Sequence, residues 1–420
     1  MPQDRPVNPR HDNLRIDEDR LWASLMDAAK IGPGDHGGNR RLALTDEDKE
    51  MRDVFVQWCE ASGCSVSVDQ AGNIRARYEG QEDLPPVLIG SHLDTQVAGG
   101  RFDGILGVLA GLEIIRVLKD AGIRPKRPIE VVNWSNEEGA RFSPPMAASR
   151  VLSGEQDIAW LHGLTDDDGF TFGGELARIG YLGDVDAGPR PIDSYFELHI
   201  EQGPDLEAAG VPLGIVTGGY TAYGLIVKFL GTTAHSGPTP MEKRSNALVG
   251  AAKLIDAVND IGWKHAPIGK STSSRLVIWP NKPGILPSEA EVTVDVRHID
   301  PAVTEEMRVE MHAALATAAE EARVGFEIVT DWIFGDVAFD PELTALVRQT
   351  AADIGVPAMD IHSQAGHDAY CVSDAAPAIL LFSPCIDGIT HNEAEDVVPE
   401  DTYPSVNVLL QAVLRRADRD

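Results

Sequence analysis

The stretch VLIGSHLDTQVAGGRFDGILGVLAGLEIIRVLKDAGIRPKRPIEVVNWSNEEG (87–139) decides the fold. VLIGSH (87–92) is an apolar run of strand length, and DGILGVLAGLEIIRVLKDAG (103–122) is a long apolar helix that stops at a glycine. IEVVNWS (129–135) is a second strand. Near-continuous apolar strands alternating with helices predict an α/β sheet covered on both faces.

The neighbouring chain extends this pattern. Residues 16–31 and 45–63 read as helices, the second opened by a Thr45-x-x-Asp48 capping box and closed at Gly63. SVSVDQAGNIRARY (65–78) alternates around a turn at Gly72, as a hairpin does. YFELHI (195–200) and AILLFS (378–383) add strands, and a helix near 401–417 closes the chain. The middle is ordered differently: strand 223–231, helix 241–259, strands 274–279 and 290–297, helix 302–323 and strand 325–330. That β-α-β-β-α-β order is ferredoxin-like. The expectation is a larger α/β domain split across 1–215 and 332–420, with a compact domain inserted at 216–331.

Composition narrows the function. At 420 residues the chain can bury a core without metal or disulfide staples, so a metal would be catalytic rather than structural. Thirty-six Lys and Arg against 66 Asp and Glu leave a formal charge of −30. Such a field repels nucleic acid and anionic lipid. Cys59, Cys64, Cys371 and Cys385 form no C-x-x-C pair and read as buried small hydrophobes in a reducing cytosol. The polar start MPQDRPVNPRHDNLRIDEDR has no apolar signal region, and no run reaches 18 apolar residues. A soluble, cytoplasmic, acidic protein is expected.

The chemistry gathers at strand ends, where open α/β sheets bind ligands. His92 closes the first strand, and Asp94 stands close enough to accept its other ring N–H. Asp103 opens the long helix, and alone would serve equally as its N-cap. Glu137 and Glu138 follow the next strand; in extended chain they would point to opposite sides, one free to ligate and one to act as base. Alone they read equally as turn residues. His199 and His391 stand at two further strand ends. Three His, one Asp and one Glu, without a thiolate, suit two divalent ions sharing a carboxylate, beside the plain reading of scattered structural histidines. Ile268-Gly269-Lys270-Ser271 lacks the first glycine of a P-loop, and there is no G-x-S-x-G or G-x-G-x-x-G. Serine-hydrolase and dinucleotide chemistries are set aside.

GSHLDTQVAGGRFDGILGVLAGLE, WSNEEGARF, ELHIEQGP, AHSGPTPM, DVR, AGHDA and GITHNEAE resemble, in order, the signatures of the N-carbamoyl-L-amino acid hydrolase, β-ureidopropionase and allantoate amidohydrolase family. That family belongs to the aminoacylase–carboxypeptidase superfamily of dinuclear metallohydrolases. The resemblance covers about residues 16–415. It implies a mixed-sheet metallohydrolase domain with an inserted ferredoxin-like lid and dimerisation domain. It also implies two divalent ions (Zn, Mn, Co or Ni) bridged by Asp103, one completed by His92 and His199, the other by Glu138 and His391. Glu137 falls on the catalytic base position, and His235 on the histidine that polarises the scissile carbonyl. Gln202, Asn281 and Arg297 match substrate contacts; the planar fork of Arg297 suits a carboxylate, although a cross-strand ion pair would explain it too. The local HSGPTPMEKRSNA departs from the family's usual HAGTTPM and following Arg-Asp, which affects loop shape and substrate range. The activity implied is hydrolysis of an N-carbamoyl-L-amino acid to amino acid, carbon dioxide and ammonia by a homodimer with His235 acting in trans. β-Ureidopropionase and allantoate amidohydrolase are the nearest alternatives. HIEQG speaks against a peptidase or aminoacylase, and an intact Glu137 against a non-catalytic metal binder.

Overall fold

A computed structural model describes residues 13–419; the polar stretch 1–12, read above for a signal, lies outside them. The described residues form two compact units. One comprises the chain up to Thr217 together with the chain from Val337 onward, and the other is Gly218–Asp336.

The strands run in chain order as β1 (Ser65–Val68), β2 (Ile74–Tyr78), β3 (Val87–His92), β4 (Ile129–Trp134), β5 (Ser194–Ile200), β6 (Gly214–Gly219), β7 (Thr221–Leu230), β8 (Lys270–Trp279), β9 (Glu289–His298), β10 (Gly325–Phe334), β11 (Met359–Ser363) and β12 (Ala378–Ser383). Eight make one sheet in the order β1-β2-β4-β3-β5-β12-β6-β11. Its centre, β4-β3-β5-β12, is parallel. The β1–β2, β2–β4 and β12–β6 pairings are antiparallel, so the sheet is mixed. Every residue of the four central strands is buried, which is why they read as unbroken apolar runs rather than alternating ones. Parallel neighbours align their C-terminal ends, and this brings residues far apart in sequence to one edge.

The helices Ile105–Asp120 and Pro399–Ala417 pack on the central strands. Helix Asp46–Ala61 starts as its cap predicts, with Thr45 accepting from the Asp48 amide. The Asp48 carboxylate bonds the Leu44 amide instead of that of Thr45, and also pairs with Arg52.

The second unit orders its strands β10-β7-β9-β8, all antiparallel, with the helices Ala247–His265 and Pro301–Ala322 between them in the chain. In chain order this is the split βαβ pattern. One sheet face, through Leu225, Val227, Phe229, Val292 and Val294, shares a core with Leu254, Val258, Met307 and Met311 of the helices.

Several elements depart from expectation. The helix foreseen at 241–259 is a 3-10 turn, Met241–Lys243, followed by a break. It starts again at Ala247 because the Asn246 side chain caps it, and runs on to His265. The final strand of the second unit continues to Phe334, paired along its length with β7. Asp103 is not an N-cap: the long helix begins at Ile105 after Gly104, which sits at φ 69. Glu137 and Glu138 lie on a bend, not in extended chain, because Asn136 takes a positive φ of 59 directly after β4.

Candidate metal centre

The C-terminal edge of the parallel strands holds the site. His92 ends β3, His199 lies on β5 next to its end, the Glu137–Glu138 bend follows β4, and His391 follows β12. Asp103 comes in on the turn before the long helix. Gly104 is required there twice over, since a Cβ would meet the His92 ring at 2.3 Å and its φ is left-handed.

These residues form two donor groups, His92–Asp103–His199 and Asp103–Glu138–His391, whose ligating atoms lie within 4.8 Å of one another. Asp103 is common to both. Its Oδ1 is 3.1 Å from His199 Nε2 and 3.6 Å from His92 Nε2, and its Oδ2 is 3.6 Å from His391 Nε2. Glu138 Oε2 is 3.3 Å from His391 Nε2. Ligand atoms around a tetrahedral zinc, with bonds of about 2.0–2.2 Å, stand about 3.3 Å apart, so these separations fit an ion. His92 Nδ1 donates to the Asp94 carbonyl at 2.8 Å and His199 Nδ1 to the Ile200 carbonyl at 2.9 Å, aiming both Nε2 atoms inward. Glu138 Oε1 and Gln202 Oε1 are buried without a partner, as expected where a cation or a ligand completes the set. The His391 side chain is 48% exposed while the other donor side chains are almost fully covered. The centre therefore has an open side, as catalytic sites do.

One expectation is corrected. The Asp94 carboxylate does not take the His92 ring proton; the carbonyl of Asp94 does. The carboxylate lies 4.0 Å from Nδ1 and instead accepts the Glu137 and Glu138 amides at 3.3 Å each. It shapes the bend rather than the imidazole.

Charge sets the proton affinities. Burial raises Glu137 well above the usual carboxylate range, and the neighbouring Asp368, Glu138, Asp94 and Glu197 push it further. Its Oε2 stands 3.5 Å from His92 Nε2. Burial drives His92 down. It also opposes the charge on His199 and His391, but Asp103 on the first and Glu138 on the second outweigh it and hold both at about 9. Burial would raise Asp103, yet the hydrogen bond from His199 and three surrounding imidazoles hold it low.

The remaining sequence candidates divide. Gln202 joins the site: its Nε2 donates to Asp103 Oδ2 at 2.9 Å, from a backbone at φ 59. His235, Asn281 and Arg297 lie in the second unit. His235 and Asn281 are exposed, and His235 Nδ1 accepts the Gly237 amide. Arg297 Nε and Nη2 bond Asp295 Oδ1 two residues earlier on β9, an ion pair along the strand.

Sequence reasoning missed a surrounding set. Glu197 accepts from Ser91 and Tyr195 side chains and the Ala369 amide; it lies two residues before His199 on one strand, a spacing that puts both on the same face. His367 and Asp368 sit in the quoted AGHDA. The His367 ring is 4.5 Å from that of His199, and Asp368 accepts from Ser149 at 2.6 Å. Thr390 and Glu395 flank His391.

The chain is similar to known proteins along nearly its whole length. The family model described as Peptidase family M20/M25/M40 matches residues 88–415. An N-carbamoyl-L-amino-acid amidohydrolase of Rhizobium meliloti is 43% identical over 408 residues, 97% of this chain and 98% of the relative. A ureidoglycolate hydrolase of Arabidopsis thaliana is 30% identical over 415 residues, 94% of this chain and 86% of the relative. A solved amidase of the hydantoinase/carbamoylase family from Burkholderia vietnamiensis aligns with a TM-score of 0.94 at 46% identity, covering 97% of this chain and 99% of that one. The donor groups and these relatives together point to the use of divalent metal. Matched along nearly its whole length, the chain is an amidohydrolase and belongs to the peptidase family M20/M25/M40.

Proposed function

We propose that the protein hydrolyses the C–N bond joining the carbamoyl group to the nitrogen of an N-carbamoyl-L-amino acid, yielding the amino acid, carbon dioxide and ammonia. His92, Asp103 and His199 would hold one divalent ion, and Asp103, Glu138 and His391 a second; zinc, manganese, cobalt and nickel all suit such nitrogen and oxygen donors. Bound ions supply Lewis acidity, lowering the pKa of water and polarising a carbonyl oxygen. The observation that carries the reading is Glu137. It is a buried carboxylate beside the donors that belongs to neither group, while its neighbour Glu138 does. Glu137 takes the proton of the attacking water and returns it to the leaving nitrogen. Gln202, with its Nε2 committed to Asp103, keeps its Oε1 for the substrate. His235 stabilises the oxyanion, while Asn281 and Arg297 recognise the carboxylate. The second unit acts as lid and dimerisation domain of a cytoplasmic homodimer, with His235 serving the partner's reaction.

The Arabidopsis relative favours a second reading, in which a ureidoglycolate- or allantoate-like acid replaces the N-carbamoyl amino acid and the same bond class is cut. Ammonia release by protein loaded with each metal decides between them. The panel is N-carbamoyl-L- and D-amino acids, N-carbamoyl-β-alanine, allantoate and ureidoglycolate. The L-amino acid derivatives should turn over fastest. No ammonia from any ureido acid would refute the function. For His235, Glu137→Gln and His235→Ala refolded together should recover activity that each lacks alone; mixed dimers without recovery refute action in trans.

A further inference from the structure

Asp103 is the residue shared by both donor groups, so its placement governs both at once. It stands in no regular element, after a glycine-rich turn and before Gly104. Its hold comes from a residue distant in sequence. Glu395 Oε1 accepts the amides of Phe102 at 3.0 Å and Asp103 at 3.1 Å. Its Oε2 is 3.1 Å from Thr390 Oγ1, and that hydroxyl is 2.9 Å from Asp103 Oδ2. The Glu395 side chain thus meets Asp103 twice, at the backbone directly and at the carboxylate through Thr390. It is 1% exposed. The turn approaches so closely that a Cβ on Gly100 would fall 1.9 Å from the Glu395 carboxyl carbon. Glycine at 100 leaves the room that a buried carboxylate needs there. Glu395 itself belongs to neither donor group.

We infer that Glu395 is a positioning residue for the metal centre: it ligates nothing, but fixes the backbone and carboxylate of Asp103 so that both donor groups are preformed. This rests on Asp103 being the shared ligand in the function proposed above. Hydrogen bonds that orient a ligand commonly change metal affinity by about 10–100-fold. Glutamine at 395 would keep an acceptor for the two amides and turn its NH2 toward Thr390, leaving the threonine hydroxyl free to donate to Asp103. Alanine would keep neither.

The test is metal affinity of the full chain, read by competition with a chromophoric chelator for zinc and for manganese. Glu395→Ala should bind both ions about 10–100-fold more weakly than the parent. Glu395→Gln should stay within a few-fold of it. Parental affinity in the alanine variant, or a glutamine variant as weak as alanine, overturns the inference. Should Glu395→Ala fail to fold by circular dichroism, Thr390→Val carries the test, because it removes only the hydroxyl. It should also weaken both ions, and unchanged affinity overturns the role. A parent that binds neither ion would refute the metal centre itself, an outcome distinct from a failure of Glu395 alone.

Discussion

Replacing Arg52 with methionine should cost the larger unit about 3–5 kcal/mol. Arg52 and Asp48 are both fully buried, paired at 2.8 Å one turn apart on helix Asp46–Ala61. The same guanidinium donates to the Gly72 carbonyl at 2.7 Å and to Ser135 Oγ at 3.1 Å. It therefore ties the helix to the β1–β2 turn and to the residue that precedes the Asn136–Glu138 bend. Methionine restores most of the buried stem but strands Asp48. Only the Leu44 amide then remains on its Oδ2, and its Oδ1 has no partner already. An unpaired buried carboxylate is the expensive outcome; removing both charges is not. The double variant Arg52→Met with Asp48→Leu should accordingly recover most of the loss and end within about 2 kcal/mol of the parent. With a urea slope near 3 kcal/mol/M, the single variant shifts the midpoint by about 1–1.7 M. Urea unfolding followed by circular dichroism and by tryptophan fluorescence reads this, and agreement between the probes checks that one transition is being measured. A single-variant loss below about 1 kcal/mol, or a double variant as weak as the sum of its parts, refutes the clamp.

Glu137→Gln should keep its metal by elemental analysis and lose about 10²–10⁴-fold in turnover; activity within a few-fold of the parent removes it as the base. Gly104→Ala places a methyl against the His92 ring in a left-handed backbone, so metal affinity should fall about 10–100-fold, and unchanged affinity would remove His92 from the ligands. Arg297→Lys keeps the charge but loses the fork, and should raise KM about 10-fold or more for substrates bearing a carboxylate while leaving carboxylate-free ureido compounds alone. Equal losses on both would deny the carboxylate role. Burial pushes the Cys64 thiol up to about 11, so only about one part in a thousand is thiolate at pH 8. Labelling by a disulfide reagent should be slow there, rise about tenfold per pH unit, and become fast in urea; rapid native labelling at pH 8 refutes the burial.

What could be read from sequence was what repeats or what is chemically rare. Four buried parallel strands show as apolar runs, and the helix Ile105–Asp120, buried at thirteen of its sixteen positions, shows as a long one. The five donor residues were legible because each falls at or just past a strand end or at the long helix's start. The helices Ala147–Ser153, Ile158–Gly163 and Phe172–Ile179 were not, since six to eight residues hold barely two turns of period. Strands β6 and β11 lie toward the far edge of the sheet and carry less of its apolar pattern. The role of Asp94 was misassigned because a two-residue spacing does not say whether the carbonyl or the carboxylate reaches the ring. Glu395 stands among other acids in HNEAED, and only the fold shows its carboxylate against Phe102 and Asp103.

The acidity of the chain takes on a different meaning inside the site than outside it. A chain of formal charge −30 repels an anionic ureido acid, but water and salt screen the field of its surface charges within about 8 Å at physiological ionic strength. The buried acids are not screened in this way. Asp94, Asp103, Glu137, Glu197, Asp368 and Glu395 are all buried at or behind one strand edge. The two fully buried arginines nearby are already committed: Arg52 to Asp48, Gly72 and Ser135, and Arg41 to the carbonyls of Ala28, Ile31 and Leu93. These arginines and the charged imidazoles of His199 and His391 offset only part of the negative charge of the cluster. Such a surplus is costly in a low-dielectric interior unless protons or cations balance it, and burial accordingly raises Glu137, Asp94 and Asp368 well above the usual carboxylate range. Divalent ions between Asp103 and its neighbours would meet that demand, and would turn the acidic interior into the local positive centre that an anionic substrate requires. In the function proposed above, the same surplus would favour doubly charged ions, and Glu137, outside both donor groups, would be left to move the proton.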